Sequence, residues 1–446
     1  MKLFQFIKEI HLSSLFFQCL AGIALSFLAG YFIPGIGFVA ELLFLGFLIF
    51  LVVDLMLLFS KEEPVTGRRI TPKRLSNGDD NSIKLHLSNQ LSFPVKTDII
   101  DEIPHQFQLR DFSIKTFFES GELKTISYTL RPTQRGEYVF GNINLFVQNT
   151  IGLVHRKVSL TAHETVPVYP SFIQMRKFEM YAISNRLTDI GVKKIRRVGH
   201  TMEFDQIKEY VRGDDVRSIN WKATARANDL MVNQYQDERS QNVISAIDLG
   251  RVMKMPFDGL QLLDYAINTS LVISNIALIK DDKAGLITFS NKDSLVVKPE
   301  KKRTHIQRIQ EALYNIDTNF LESDYERLIV SLRKHVNQRS LILLYTNFET
   351  LSSMERQLPY LQRIAKDHLL ITIFFENTEM SKLLDQESTT LSDIYTKTIA
   401  EKFDFGKRQI VKALHQHGIQ TILTPPKELS VNAINKYLEL KSRGLI

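Results

Sequence analysis

The chain has only one cysteine, Cys19, and one tryptophan, Trp221, among its 446 residues. A single cysteine excludes a disulfide framework within the chain and is typical of a reducing compartment. Also missing are a Gly-x-Ser-x-Gly nucleophile elbow and a glycine-rich phosphate loop followed by Lys and Ser or Thr. The sequence therefore indicates neither a nucleophilic hydrolase of that class nor an ATPase.

Long apolar runs are concentrated in the first sixty residues. Residues 15–33 carry no charge and are about long enough to cross a bilayer. A second run, residues 36–59, contains Glu41 and Asp54 towards its ends. An acid at the centre of a span costs about 2.5–3.5 kcal/mol, whereas each Leu, Ile, Phe or Val returns roughly 0.3–0.6 kcal/mol. Because apolar residues dominate the second run, we predict that both runs insert.

Basic residues flank these runs on one side only. Lys2 and Lys8 precede the first run, and the turn between the runs has no Lys or Arg. Five basic residues follow the second run: Lys61, Arg68, Arg69, Lys73 and Arg74. The positive-inside rule then predicts a transmembrane hairpin over residues 1–62 of an inner-membrane protein, with both termini in the cytoplasm. We expect Asp54 near the membrane interface or paired with a neighbouring helix.

Residues 63–172 alternate apolar and polar positions in short runs such as Ile83–Leu87, with turn signals such as Asn77-Gly78 between them. Such a pattern predicts an antiparallel β-sandwich-like domain. It contains no catalytic constellation, so a spacer or interaction role is expected.

Residues 230–446 alternate buried strands with helices, which predicts βαβ units around a mostly parallel, doubly wound sheet. The predicted strands are 243–248, 284–289, 294–298, 341–345, 369–375 and 420–423. The predicted helices are 260–278, 305–314, 325–335, 410–417 and 431–440.

The segment Glu203–Met231 packs acidic and basic residues and the tryptophan around the turn signal Gly213-Asp214-Asp215. Its residue order resembles the signature of a bacterial family, domain of unknown function fifty-eight. The matching residues are Glu203-Phe204, Glu209-Tyr210, Gly213-Asp214-Asp215, Arg217, Ile219-Asn220-Trp221, Ala225-Arg226 and Glu238. Further matches are Arg135-Gly136-Glu137-Tyr138, Gly152-Leu153, Val168-Tyr169-Pro170 and Asp248-Leu249-Gly250-Arg251.

This resemblance implies a von Willebrand A-like α/β domain over residues 230–446, joined to the β domain by a charged signature segment, residues 173–229. It also implies association with a MoxR-type AAA+ ATPase, and it implies no reaction. We therefore expect a membrane-anchored scaffold or adaptor for assembly or maturation of other proteins, with the client unknown, and we do not expect an enzyme.

Von Willebrand A-type domains often bind Mg²⁺ through Asp-x-Ser-x-Ser, with Thr and a second Asp from later loops, because Mg²⁺ prefers hard oxygen ligands. Here Asp248 holds the first position, but Gly250 and Val252 replace the serines and Asn347 replaces the second aspartate. We expect this site to be degenerate, with no metal and no other cofactor. Asp248 is instead expected to cap the following helix or to bond local backbone amides.

Ten signature residues are the candidate interaction residues: Glu203, Tyr210, Arg212, Asp214, Asp215, Arg217, Asn220, Trp221, Lys222 and Arg226. They either form a docking face anchored by Trp221 or brace the two domains, with Trp221 buried and the arginines paired with acids.

Two alternatives use other residues. The net charge of +7 and the run Lys193, Lys194, Arg196 and Arg197 favour binding to anionic membrane lipid, with nucleic acid less favoured because no aromatic residues are interleaved. The more remote alternative is a metal-dependent hydrolase that uses Asp214, Asp215 and Lys222.

Overall fold

The computed structural model describes residues 8–33, 35–183, 203–227, 229–236, 240–292, 294–318, 320–380 and 390–445; at residues 203–205, 234–236 and 391 it describes the backbone alone. The chain divides into two compact units, Met1–Tyr169 and Pro170–Ile446. Residues 173–229, the signature segment, are part of the second of these units.

The first unit contains the two predicted apolar helices, α1 (Ser14–Phe32) and α2 (Ile36–Leu58). Ser13 caps α1, because its hydroxyl accepts the backbone N–H of Phe16 at 3.1 Å. Both helices are long and apolar enough to cross a membrane, and most of their side chains are exposed in the protein. The prediction of two apolar helices of membrane-spanning length is confirmed.

The rest of the first unit is rich in β-strands, as predicted. The strands are β1 (Ile10–Leu12), β2 (Val65–Ile70), β3 (Leu75–Ser76), β4 (Asn81–Asn89), β5 (Val95–Asp101), β6 (Ile114–Phe118), β7 (Leu123–Leu130), β8 (Gly136–Phe140), β9 (Ile143–Gln148), β10 (Val154–Leu160) and β11 (Glu164–Tyr169). They form sheets of order β1-β10-β9-β5-β6, β2-β4-β7 and β3-β11-β8. Alternate side chains of β4 and β5 are buried, and the first two sheets share one core, as in a sandwich.

The segment before α1 departs from the predicted boundary at residue 62. β1 lies within residues 1–62 but pairs antiparallel with β10, with Ile10 opposite Arg156. The chain on both sides of the helical hairpin is therefore part of the β-rich sheets, because β2 begins only seven residues after α2 ends.

Asp54 fastens α2 to the β-rich sheets. The carboxylate is buried and accepts the backbone N–H groups of Leu153 at 2.9 Å and Val154 at 3.0 Å. Arg156 completes the junction by donating to the carbonyl of Leu58 at 3.0 Å, at the end of α2. The expected pairing of Asp54 with a neighbouring helix is therefore replaced by bonds to the start of β10.

The second unit is built on a six-stranded sheet. Its strands are β14 (Asn242–Asp248), β17 (Lys283–Phe289), β18 (Ser294–Glu300), β19 (Leu341–Tyr345), β20 (Leu369–Phe375) and β21 (Gln420–Thr424). A small hairpin, β15 (Pro256–Phe257) and β16 (Leu260–Gln261), precedes the helix Leu262–Ile279. The sheet order is β18-β17-β14-β19-β20-β21, and only the pair β17–β18 is antiparallel. The predicted mostly parallel sheet is confirmed.

Helices cover both faces of this sheet, because alternate strand residues contribute to two separate cores. One face packs against α3 (Phe172–Ile183), α5 (Leu262–Ile279), α6 (His305–Tyr314) and α10 (Leu429–Ser442). The other packs against α7 (Tyr325–His335), α8 (Leu351–Asp367) and α9 (Leu391–Gln416). α5 is as apolar as a membrane span, but it is almost wholly buried against the sheet.

Residues 203–236, which include the C-terminal part of the signature segment, fold as a β-hairpin. β12 (Glu203–Glu209) pairs antiparallel with β13 (Met231–Gln236), with Glu209 opposite Met231. The connection between them contains a short 3-10 helix, Val216–Ser218, and α4 (Trp221–Ala227). We call residues 210–227 the hairpin tip.

Candidate functional site

The strand order of the six-stranded sheet reverses at β14. β17 and β18 lie on one side of this first strand, and β19, β20 and β21 lie on the other. Open α/β sheets bind ligands at the carboxyl ends of their strands where the order reverses. Asp248 ends β14 and Thr346 follows β19, and these strands pair in register, with Ile247 opposite Tyr345. The two side chains are therefore brought together at this edge.

Asp248 is fully buried, and both of its carboxylate oxygens accept hydrogen bonds. Oδ1 accepts the backbone N–H of Gly250 at 2.8 Å and the hydroxyl of Ser323. Oδ2 accepts the Thr346 hydroxyl at 2.7 Å, and Thr346 Oγ1 lies 2.9 Å from the Tyr325 hydroxyl. Burial raises the pKa of the Asp248 carboxyl, while its hydrogen bonds act in the opposite direction. Asp248 thus holds three loops together at the edge of the sheet.

The residues at this edge do not fit Mg²⁺. A Cβ at Gly250 would overlap Ser323 Oγ, so a serine cannot stand there unless Ser323 moves. Val252 has no side-chain oxygen, and the amide oxygen of Asn347 already accepts Lys407 Nζ at 2.7 Å. An ammonium group at this place repels a second cation. Among the residues that the structure describes, no group of three or more His, Cys, Asp or Glu could hold a metal ion.

Lys407 projects from the apolar stripe of α9, at helical spacing from Phe403 and the buried Ile410. Burial lowers the pKa of its ammonium to about 8, although attraction to Glu349 acts in the opposite direction. The amine also lies 5.7 Å from the centroid of the Phe374 ring. At neutral pH this lysine is charged, but it loses its proton more readily than a solvated lysine does.

A pocket of about 500 Å³ opens beside Lys407. Ligand pockets typically span roughly 300–1,000 Å³. Its apolar wall includes Met255, Phe257, Phe375 and Phe403. Four carboxylates also line it: Glu349, Glu376, Glu379 and Asp404.

Among the described residues that line this pocket, the carboxylates outnumber the ammonium of Lys407. Burial raises the pKa of Glu376, and the neighbouring carboxylates of Asp404 and Glu428 raise it further. Asp404 is paired with Arg408 at 3.0 Å, at one turn along α9. The lining therefore favours a ligand that combines apolar groups with positive charge.

Local contacts fix the polar signature residues of the hairpin tip. Asp214 pairs with Lys208 at 3.0 Å and accepts the backbone N–H of Val211 at 3.0 Å. The bond from Val211 lowers the pKa of the Asp214 carboxyl first, and Lys208 adds to this effect. Asp215 accepts the backbone N–H of Arg217 at 2.9 Å and so caps the 3-10 helix. These contacts give both acids a structural role.

Asn220 joins the tip to the strands. Its backbone N–H donates to Met231 at 2.8 Å, its side chain donates to Asn233 at 2.8 Å, and its Oδ1 accepts the N–H of Ala223 at 3.0 Å. The backbone N–H of Tyr210 donates to the carbonyl of Leu230 at 2.7 Å. Asn220 is therefore a helix cap and a cross-strand contact at once.

The remaining signature side chains of the tip are exposed. Trp221 is 70% exposed, so the alternative that buried it is wrong. Arg212, Arg217, Lys222 and Arg226 are exposed as well. In the described part of the chain none of these four cations forms an ion pair, and the pairing of Arg217 and Arg226 with acids stays a prediction. The side chain of Glu203, the basic run 193–197 and Glu238 lie outside the described residues.

Sequence reasoning missed Ser323, Tyr325 and Lys407 as parts of the sheet edge. Ser323 belongs to no local motif and meets Asp248 only because its loop crosses the end of β14. Lys407 lies before the predicted helix 410–417, and the only signal for it was its helical spacing from Phe403 and Ile410.

The family described as protein of unknown function DUF58 matches residues 206–420. The uncharacterized protein YeaD of Bacillus subtilis (strain 168) is 26% identical over 221 residues, which are 48% of this chain and 54% of the relative. The chain thus spans about half the length of this curated relative.

Two solved structures each resemble about a quarter of the chain. The CARDB domain of the PF1109 protein from Pyrococcus furiosus shares 20% identity over 23% of this chain and 86% of that domain, with a TM-score of 0.19. A PapD-like domain of human CEP192 shares 17% identity over 24% of this chain and 83% of that domain, with a TM-score of 0.18. TM-scores this low support no conclusion about the fold.

Proposed function

Because the chain belongs to the DUF58 family of proteins of unknown function, we propose that it is a membrane-anchored interaction protein. In this proposal its soluble units face the cytoplasm and recruit a MoxR-type AAA+ ATPase for the assembly or maturation of a client protein. The observation that carries the proposal is the edge of the six-stranded sheet. There, Asp248 is buried and hydrogen-bonded at the end of β14, and Asn347, which follows β19, lines an open pocket, which suits binding better than catalysis.

The sheet topology supports a von Willebrand A-like domain. Numbered in chain order, the strands lie 3-2-1-4-5-6, with the antiparallel strand β18 at the edge. The family resemblance implies such a domain, and Asp248 ends its first strand. The domain would act without the metal, since the residues at the edge do not fit Mg²⁺.

The junction around the helical hairpin supports anchoring with both flanks on one side of the membrane. β1 and β2 both belong to the β-rich sheets, so the chain must enter and leave the hairpin at the same face. Lys61, Arg68, Arg69, Lys73 and Arg74 follow the second helix, and Arg69 is paired with Asp101. Their excess supports the cytoplasmic side.

Liposome flotation tests the recruitment. The full chain is reconstituted in liposomes, and a MoxR-type ATPase from the same organism is added before centrifugation through a density step. We expect the ATPase to float with these liposomes and to remain below with empty liposomes of the same lipids. If it remains below in both cases, with and without ATP, the proposed partnership is wrong.

A further inference from the structure

Two surfaces of the second unit have complementary chemistry. The hairpin tip exposes three apolar side chains, Val211 at 61%, Val216 at 64% and Trp221 at 70%. Arg212, Arg217, Lys222 and Arg226 surround them. Of the acids in the tip, Asp214 is paired with Lys208 and Asp215 caps the 3-10 helix. The tip therefore presents an aromatic anchor among cations.

The described lining of the pocket at the sheet edge has the opposite net charge, since four carboxylates line it beside one ammonium, that of Lys407. Glu349, Glu376 and Asp404 surround an apolar wall that includes Phe403, which is 44% exposed. Met255 is 41% exposed at the same pocket. An aromatic side chain flanked by Arg or Lys would cover the apolar wall and place positive charge among the carboxylates. Tryptophan and arginine are the residues most enriched at interface hot spots.

We propose that the hairpin tip of one copy docks into the sheet-edge pocket of a second copy of this chain. Each copy carries both surfaces, and the contact joins different surfaces, so it is heterologous and repeats from copy to copy. If the chain is anchored as proposed above, the membrane confines the copies to one plane and raises their effective concentration. Such contacts then build a ring or row of copies in that plane. The docking itself goes beyond the proposed function and does not require an ATPase.

Site-specific cross-linking tests the contact, and the sequence makes it simple, because Cys19 is the only native cysteine. In full-length Cys19→Ser protein, one population carries Ala225→Cys, one helical turn from Trp221 in the tip. The other carries Met255→Cys in the pocket. Each chain then has one thiol, so a disulfide between the two populations arises only between copies, and only where Cα atoms approach within about 7 Å.

We expect a disulfide dimer between the Ala225→Cys and Met255→Cys populations under mild oxidation in nanodiscs or liposomes. Leu295→Cys, on the edge strand β18 and 37% exposed, is the matched control and should give none. The inference is overturned if the Met255→Cys population cross-links no better than the control. It is also overturned if Ala225→Cys pairs mainly with itself. A third contrary outcome concerns a chain that carries both thiols. If this chain forms an internal disulfide and no dimers, the tip docks in its own pocket and the inference is overturned.

Charge reversal supplies a second readout. Arg217→Glu with Lys222→Glu, or Glu376→Lys with Asp404→Lys, should each weaken self-association at least about tenfold, because like charges then oppose each other. A chain that carries all four changes should regain association. Glu401 is an exposed acid on α9, the helix of Asp404, and it does not line the pocket, so Glu401→Lys should leave self-association unchanged. Failure of the combined variant to recover, in a chain that remains folded, would contradict the docking while leaving ATPase recruitment untouched.

Discussion

Trp221→Ala separates a surface role from an architectural one. A fully buried large aromatic costs about 3–5 kcal/mol on truncation to alanine. Trp221 is 70% exposed, so it hides only about a third of a side chain that would bury at most about 250 Å². About 75 Å² at roughly 25 cal/mol per Å² gives at most about 2 kcal/mol, and compact unfolded chains lower that figure. We therefore expect a loss of about 1–2 kcal/mol.

Urea unfolding of the full chain in detergent, followed by far-ultraviolet circular dichroism, measures this loss. Tyr138→Ala is the matched buried aromatic, since Tyr138 is 1% exposed, and it should cost about 3–5 kcal/mol. Because Trp221 is the only tryptophan, fluorescence excited at a wavelength that the 14 tyrosines do not absorb reports on this residue alone. In dilute detergent the emission should be that of a solvated indole and should be quenched readily by acrylamide. A loss above about 3 kcal/mol for Trp221→Ala, or a protected indole in the monomer, would refute the reasoning.

Four further predictions follow from the same structure. Calorimetric titration of Mg²⁺ into the full chain should show no site tighter than about millimolar, and a micromolar site abolished by Asp248→Ala would contradict the degenerate donor set. Gly250→Ala should destabilise the chain by about 1–3 kcal/mol because the added Cβ meets Ser323 Oγ. The loss should be smaller in a Ser323→Ala background, and equal losses in both backgrounds would show that residues 250 and 323 are not coupled. Arg69→Met leaves the buried Asp101 without its cation and should lower the free energy of unfolding by about 3–5 kcal/mol. Arg68→Met, at the exposed neighbouring residue, should change it by no more than about 0.5 kcal/mol. Equal losses for the two variants would contradict a stabilising buried ion pair between Arg69 and Asp101. Because burial lowers the pKa of Lys407 to about 8, this amine should react with acylating reagents at pH 8, where a solvated lysine is only about 0.4% neutral. Lys402, which is exposed on the same helix, is the control for this labelling, and equal labelling of both lysines would be the contrary result. The lowered pKa of Lys407 also means that the free energy of unfolding should rise with pH between about 8 and 10.4, since the unfolded chain then binds the extra proton. Lys407→Met should remove that rise.

Periodicity in the sequence predicted most of the α/β unit, because buried parallel strands are continuous apolar runs and amphipathic helices repeat every three to four residues. β19, α6 and α7 begin and end at the predicted residues. α8 was missed, and it contains Pro359, a residue that normally argues against a helix interior. Residues 391–409 of α9 were missed as well, because the predicted helix began at residue 410 and the exposed apolar residues before it follow no core pattern.

Interactions between distant residues could not be read from the sequence. The bonds of Ser323 and Thr346 to Asp248 join residues 75 and 98 positions apart. The contact of Asp54 with Leu153 spans 99 positions and gives a backbone reason for the Gly152-Leu153 motif, since Gly152 turns the chain at a φ of +79°. The sequence itself shows that the signature segment is rich in charged residues, but the exposure of Trp221 depends on how the hairpin folds.

Protease accessibility tests most directly the central claim that the chain is anchored with both soluble units in the cytoplasm. The full chain carries an epitope tag at its C-terminus, and protease is added to intact cells stripped of their outer layers or to right-side-out vesicles. We predict that residues 75–446 survive intact and are digested only after the membrane is permeabilised. Digestion of this region in sealed cells or vesicles would contradict the topology and, with it, recruitment of a cytoplasmic ATPase.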